Sequence, residues 1–109
     1  SVVLKNSQKL STGSSTSSGA TTFTFDISKL NLSHDVYHFK IYIIGNANIG
    51  YFAEGGLAMY NGSYGIDVSY KSEKITSITL SNTTVTVTTN ANYYIATISV
   101  KSASDWLIS

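Results

Sequence analysis

The fold is decided by a stretch in the middle of the chain, Tyr37-His38-Phe39-Lys40-Ile41-Tyr42-Ile43. Its large apolar side chains fall on every second residue from Tyr37 to Ile43, and the residues between them point the opposite way. A repeat of two residues is that of a β-strand with one buried face, whereas a helix repeats every 3.6 residues. The stretch therefore predicts a half-buried β-strand.

The same alternation recurs on both sides of this stretch. Further strands are predicted at Val2–Leu4, Phe23–Ile27, Tyr51–Tyr60, Tyr64–Tyr70, Ile78–Leu80, Val85–Val87 and Tyr94–Val100, with a last apolar piece at Trp106–Ile108. Helical spacing of apolar residues persists nowhere over a useful length, and β-branched residues are abundant. The chain is therefore predicted to be all-β, an antiparallel β-sandwich of about eight strands with a jelly-roll-like arrangement.

Turn-forming residues separate the predicted strands. Asn61-Gly62 is a hairpin signal, and Ser81-Asn82 and Asn90–Asn92 predict further turns because Asn tolerates left-handed backbone. Gly55-Gly56 falls inside a predicted strand instead of between two. A glycine pair in that position predicts a β-bulge or a close approach of two backbones.

Composition narrows the function classes. The chain has 109 residues, enough for one domain, and 42% hydrophobic content argues against disorder. Charged residues make up only 12% and the net charge is +1, so we expect neither nucleic-acid binding nor attraction to an anionic membrane. No apolar run approaches the length of a membrane span, so no membrane insertion is predicted. With 0 Cys there is no disulfide and no thiolate metal site.

One segment departs from the strand pattern. Residues 11–22 read Ser-Thr-Gly-Ser-Ser-Thr-Ser-Ser-Gly-Ala-Thr-Thr and contain nothing large to bury, which predicts a flexible loop or linker. The chain then divides into residues 1–20, a short first strand with this flexible segment, and residues 21–109, the sandwich domain. An arm exchanged between subunits is the functional alternative. A chain that begins at Ser1 without an initiator Met indicates a processed product or a piece of something longer.

Catalytic and metal-binding patterns are weak. Among the scattered carboxylates only Glu54 and Asp67 would face each other across the predicted Asn-Gly hairpin, and two surface acids explain that pair more simply than a glycosidase does. His34 and His38 would lie about 13 Å apart on a strand and could not chelate one ion. Three copies of His38 around a symmetry axis remain the alternative. The expectation is therefore no catalytic residue, no metal ligand, no cofactor and no enzymatic activity.

Binding is favoured by aromatic rings near small polar turns. Tyr and Trp offer a flat apolar face with a polar tip that suits a sugar ring, and Asn side chains can hold its hydroxyl groups. We expect the turns after Gly45 and around Asn61 and Asn90 to form a shallow saccharide site, either within one chain or spanning two subunits. The alternative is that these rings belong to the core or to a subunit interface. The candidate ligand-binding residues are Asn46, Asn48, Tyr51, Tyr60, Asn61, Asn92, Tyr93 and Trp106.

A rhythm of strand, short Gly/Asn turn, Tyr-containing strand, hairpin, Thr/Val run and final strand runs through residues 37–106. It is carried by Tyr37–Gly45, Gly50–Tyr60, Ile78–Leu80, Thr84–Thr88 and Tyr94–Lys101. In this rhythm the chain resembles the C-terminal domains of bacteriophage tail fibres and tailspikes. The resemblance implies a β-sandwich homotrimer at the distal end of a fibre on the virion, which binds host-surface saccharide or caps the trimer.

Two classes of function stay open. The first is a non-enzymatic receptor-binding and trimerisation domain of a phage tail fibre or spike. The second is a carbohydrate-binding or adhesive β-sandwich module of a secreted or cell-surface bacterial protein or enzyme. A stable trimer in solution favours the first class and a monomer the second. A chaperone piece released autocatalytically at Ser1 is a third possibility, which the missing helical stalk disfavours.

Overall fold

The computed structural model describes residues 8–13, 18–45 and 51–102. Within these ranges the chain forms eight strands and one short 3-10 helix, Ile27–Leu30. The strands are β1 (Gln8–Gly13), β2 (Ala20–Asp26), β3 (Asp35–Ile44), β4 (Tyr51–Tyr60), β5 (Ser63–Lys71), β6 (Ile75–Ser81), β7 (Thr84–Tyr93) and β8 (Ile95–Ser102). The all-β prediction is confirmed.

The strands form two antiparallel sheets. The large sheet has five strands in the order β1-β8-β3-β4-β5, and the small sheet has three in the order β2-β7-β6. The pairing of β1 with β8 and of β2 with β7 is the nested wrapping of a jelly-roll-like sandwich. The strands β3, β4 and β5 instead follow one another as a meander in the large sheet.

The core lies between the two sheets and follows the alternation of the sequence. On β3 the predicted apolar face, from Tyr37 to Ile43, is at most 1% exposed, and the residues between are exposed. Phe23 and Phe25 of β2 and Val85 and Val87 of β7 supply the opposite face. The strands are half-buried because each sheet covers only one face of the other.

Two turn predictions are confirmed in detail. Asn61 and Gly62 have φ of 51° and 81°, the two positive values of a type I′ turn, and Tyr60 pairs with Ser63. Gly55 lies at a bulge between β4 and β5, where a Cβ would come 2.0 Å from the backbone oxygen of Asp67. Only glycine therefore fits this approach of two backbones.

Three local predictions need correction or lie beyond the described ranges. Ser11–Gly13 and Ala20–Thr22 are strand residues, because β1 pairs with β8 over six residues and Leu10 packs against the core. The predicted turn at Asn90–Asn92 lies within β7, and the chain instead bends at Tyr94. The predicted pieces Val2–Leu4 and Trp106–Ile108 lie outside the described residues. The division at residue 20 stays a prediction.

No helix in the described ranges is long and apolar enough to cross a membrane.

Candidate binding site

The three predicted loops do not meet. Because β3 and β4 are antiparallel, the Asn61 turn lies at one end of the sandwich, next to Asp35, which pairs with Met59. Gly45 and the Asn90 region lie at the other end, where the Tyr94 amide donates to the Ile44 carbonyl. The two ends are separated by the length of β4, roughly 30 Å. One chain therefore does not bring the three loops together, and a site that spans two subunits stays a prediction.

At the Gly45 end the structure buries one of the predicted aromatic candidates. Tyr93 is only 7% exposed and belongs to the core, so its ring is not available for stacking on a ligand. A Cβ on Gly45 would come 3.0 Å from that ring, which shows how closely the chain covers it. Asn92 is exposed. Asn46, Asn48 and Trp106 lie outside the described residues, and for Tyr51 the description stops at the backbone.

At the other end two predicted residues form an exposed tip. Tyr60 is 66% exposed, the highest value among the large hydrophobic residues that the structure describes. Its ring meets the His34 ring edge to face, with 4.6 Å between ring centroids and an interplanar angle of 81°. Asn61 follows in the type I′ turn and is exposed. We call Tyr60, Asn61 and His34 the hairpin tip.

The loop that presents His34 is anchored from below. Asn31, with a φ of 46°, ends the short 3-10 helix in the left-handed conformation, and Leu32 then turns into the core. The buried Tyr37 reaches up with its hydroxyl and donates to the Ser33 carbonyl at 2.6 Å. His34 therefore stands on a loop that is fixed on both sides, and it can hold the Tyr60 ring in one orientation.

Asp35 supplies the charge beside the tip. Its carboxylate accepts hydrogen bonds from the Val36 amide at 2.7 Å and from the Ser102 hydroxyl at 2.9 Å. These hydrogen bonds lower the pKa of Asp35 below 3.8, and the one from Val36 has the larger effect. The nearby His34 lowers this pKa further. The carboxylate therefore stays ionised and ties the end of β8 to the start of β3.

The hairpin tip exposes groups of the kind that contact ligands. An exposed phenol ring offers a stacking face, and the Asn61 amide offers one acceptor and two donors. Glu54 and Asp67 lie on the outer face of the large sheet, but Asp67 pairs with Gly56, two residues along β4 from Glu54. In residues 8–13, 18–45 and 51–102, no group of three or more His, Asp or Glu side chains could hold a metal ion.

Three exposed aromatic residues were missed as candidates. Tyr42, Phe52 and Tyr70 lie on the outer face of the large sheet, with ring centroids 6.1 Å apart for the first pair and 5.2 Å for the second. The sequence did contain a signal for Tyr42, because it falls between the buried residues of β3 and therefore on the opposite face of that strand. Sequence alone could not show that the three rings from three strands would be neighbours.

No family model matches the chain. No curated protein matches it either. Among solved structures it is similar to the tailspike protein gp49 of Acinetobacter baumannii bacteriophage Fri1, a capsular polysaccharide depolymerase, with a TM-score of 0.40 and 16% identity. The match covers 94% of this chain but only 19% of that structure. A likeness this distant carries no argument about function.

Proposed function

We propose that this chain is a non-enzymatic receptor-binding domain that recognises host-surface saccharide through its hairpin tip. The observation that carries the proposal is the 66% exposed Tyr60 ring, held edge to face by His34 beside the exposed Asn61. An exposed ring in a fixed orientation can stack on a sugar with little loss of side-chain entropy. A protruding turn on a rigid sandwich is also a position where recognition residues concentrate.

The context that we propose is the distal tail fibre or tailspike of a phage, with the chain assembled as a homotrimer. The support is the strand rhythm of residues 37–106, together with 12% charged residues in a chain that is 42% hydrophobic. The alternative is a carbohydrate-binding or adhesive module of a bacterial surface protein or enzyme. The hairpin tip would serve either role, and the mass in solution separates them.

Two substitutions test the tip. Tyr60→Ala removes the ring, and Asn61→Gly removes the amide while Gly accepts the positive φ of the turn. Each should weaken adsorption to host cells, or to an array of bacterial surface glycans, about tenfold, since one stacking contact or one hydrogen bond contributes roughly 1 to 1.5 kcal/mol. Both chains should keep the far-UV spectrum of the parent.

The matched control is Asn82→Gly. Asn82 has nearly the same backbone, with a φ of 54°, but stands in the turn between β6 and β7. It should bind as the parent does. If the Tyr60 and Asn61 variants fold normally and bind as well as the control, the tip is not the receptor site.

A further inference from the structure

The outer face of the large sheet carries an exposed apolar patch. Its members come from four adjacent strands and are 36% to 49% exposed. We call them the outer patch: Tyr42, Ile44, Phe52, Tyr70 and Ile95. Large apolar patches left open by a folded chain mark interaction surfaces.

Strand pairing makes the patch continuous. Ile44 pairs directly with Ile95, and Tyr42 pairs directly with Phe52, whose ring also contacts that of Tyr70. Two isoleucines and a phenylalanine have no polar atom to hydrogen-bond a sugar. The chemistry of the patch therefore fits an apolar protein surface better than a saccharide.

Charges beside the patch are divided between the two halves of the same face. Lys9 on β1 and Lys101 on β8 stand on one side, and Glu54 on β4 and Asp67 on β5 stand on the other. The central strand β3 separates the two halves, and its Lys40 pairs directly with Glu54. The β1–β8 half of the face thus carries lysines, and the β4–β5 half carries carboxylates.

We infer that the outer patch is the surface on which a second copy of this chain docks. In a trimer whose strands run along the three-fold axis, the β1–β8 half of one copy faces the β4–β5 half of the next. Lysines then approach the carboxylates of the neighbouring copy, while the apolar side chains of the outer patch pack around the axis.

This inference names the surface of the assembly that is part of the proposed function, but it does not depend on the hairpin tip. The tip lies at the other end of β4, so both surfaces can be occupied together. A monomeric parent would overturn the assembly and the docking surface together. An oligomer that survives removal of the patch would overturn only the docking surface.

The first test removes apolar contact. Phe52→Ser should convert the assembly to monomer at micromolar concentration, measured by light scattering coupled to size-exclusion chromatography. Val36→Ser is the matched control, because Val36 is 55% exposed on the same face of β3 but outside the patch. It should leave the mass unchanged. Equal masses for the two variants would overturn the inference.

The second test reverses the charges. Lys9→Glu and Glu54→Lys should each weaken assembly about two- to fivefold, the scale of exposed ion pairs, and the double variant should recover most of the loss. Lys29→Glu is the control, since Lys29 lies on the 3-10 helix and not on a strand of this sheet. If the double variant is as weak as the sum of the single ones, the two halves do not meet and the inference fails.

Discussion

The structure places Tyr93 in the core instead of in a binding site. As a predicted stacking residue it could be replaced by Ala without loss of fold, but a ring that is 7% exposed belongs to the core. Tyr93→Ala should lower the free energy of unfolding by about 3 kcal/mol, because it leaves a cavity. Tyr60→Ala, on an exposed ring, should change it by less than about 0.5 kcal/mol. Urea denaturation of both variants checks the difference, and equal stabilities would contradict the burial.

The lowered pKa of Asp35, beside the hairpin tip, predicts how acid changes the stability of the fold. Hydrogen bonds from Val36 and Ser102 lower its folded pKa below 3.8, and a lowered pKa stabilises the fold at every pH above the unfolded value. That contribution should be lost as the pH falls through the folded pKa, below 3.8. In Ser102→Ala the pKa of Asp35 should rise, which a carboxyl NMR titration measures. An unchanged titration would show that the Ser102 hydrogen bond has no effect.

Among the elements, β1 is where prediction and structure differ most. A segment without large side chains was expected to be a flexible linker, yet Ser11–Gly13 pair with β8, and the hydroxyls of Ser11 and Thr97 hydrogen-bond at 2.9 Å. Backbone pairing needs no side chain, so a Ser/Thr-rich strand is invisible to apolar periodicity. Alternate amides of Gln8–Gly13 should therefore be protected from hydrogen exchange by at least about tenfold. Fast exchange of all these amides would instead support a flexible linker.

The bulge in the β4–β5 hairpin gives a second test at this scale. A Cβ on Gly55 would come 2.0 Å from the Asp67 carbonyl oxygen and 2.9 Å from the Phe39 ring. Gly55→Ala should therefore destabilise the fold by about 2 kcal/mol or more. On Gly56 the nearest atom is 4.0 Å away, so Gly56→Ala should be nearly neutral. Thermal unfolding of the Gly55→Ala and Gly56→Ala variants should be compared. The difference between them separates steric strain at the bulge from the general effect of replacing glycine.

For the whole molecule, assembly should be visible in the stability. If copies dock through the outer patch, dissociation accompanies unfolding and the midpoint Tm rises with protein concentration. A hundredfold increase in concentration should raise Tm by about 5 °C for a chain of this size. The Phe52→Ser chain should show no such dependence. A parent Tm that is independent of concentration would indicate a monomer.

The sequence by itself determined most of the strands and their buried faces, although it did not show β1. Alternation at Tyr37–Ile43, the Asn61-Gly62 turn and the glycine pair at the bulge are local features, read from neighbouring residues and backbone geometry. Two of the three residues of the hairpin tip, Tyr60 and Asn61, were found in this way.

Only the tertiary structure decided which of these features meet. The register of β3 with β4 and β8 puts Asn61 and Gly45 at opposite ends, buries Tyr93, and brings Tyr42, Phe52 and Tyr70 together on one face. His34 joins Tyr60 across 26 residues of chain for the same reason. These neighbours are set by hydrogen bonds between distant strands and by the packing of the sheets. The alternation of apolar and polar residues along one strand does not encode either.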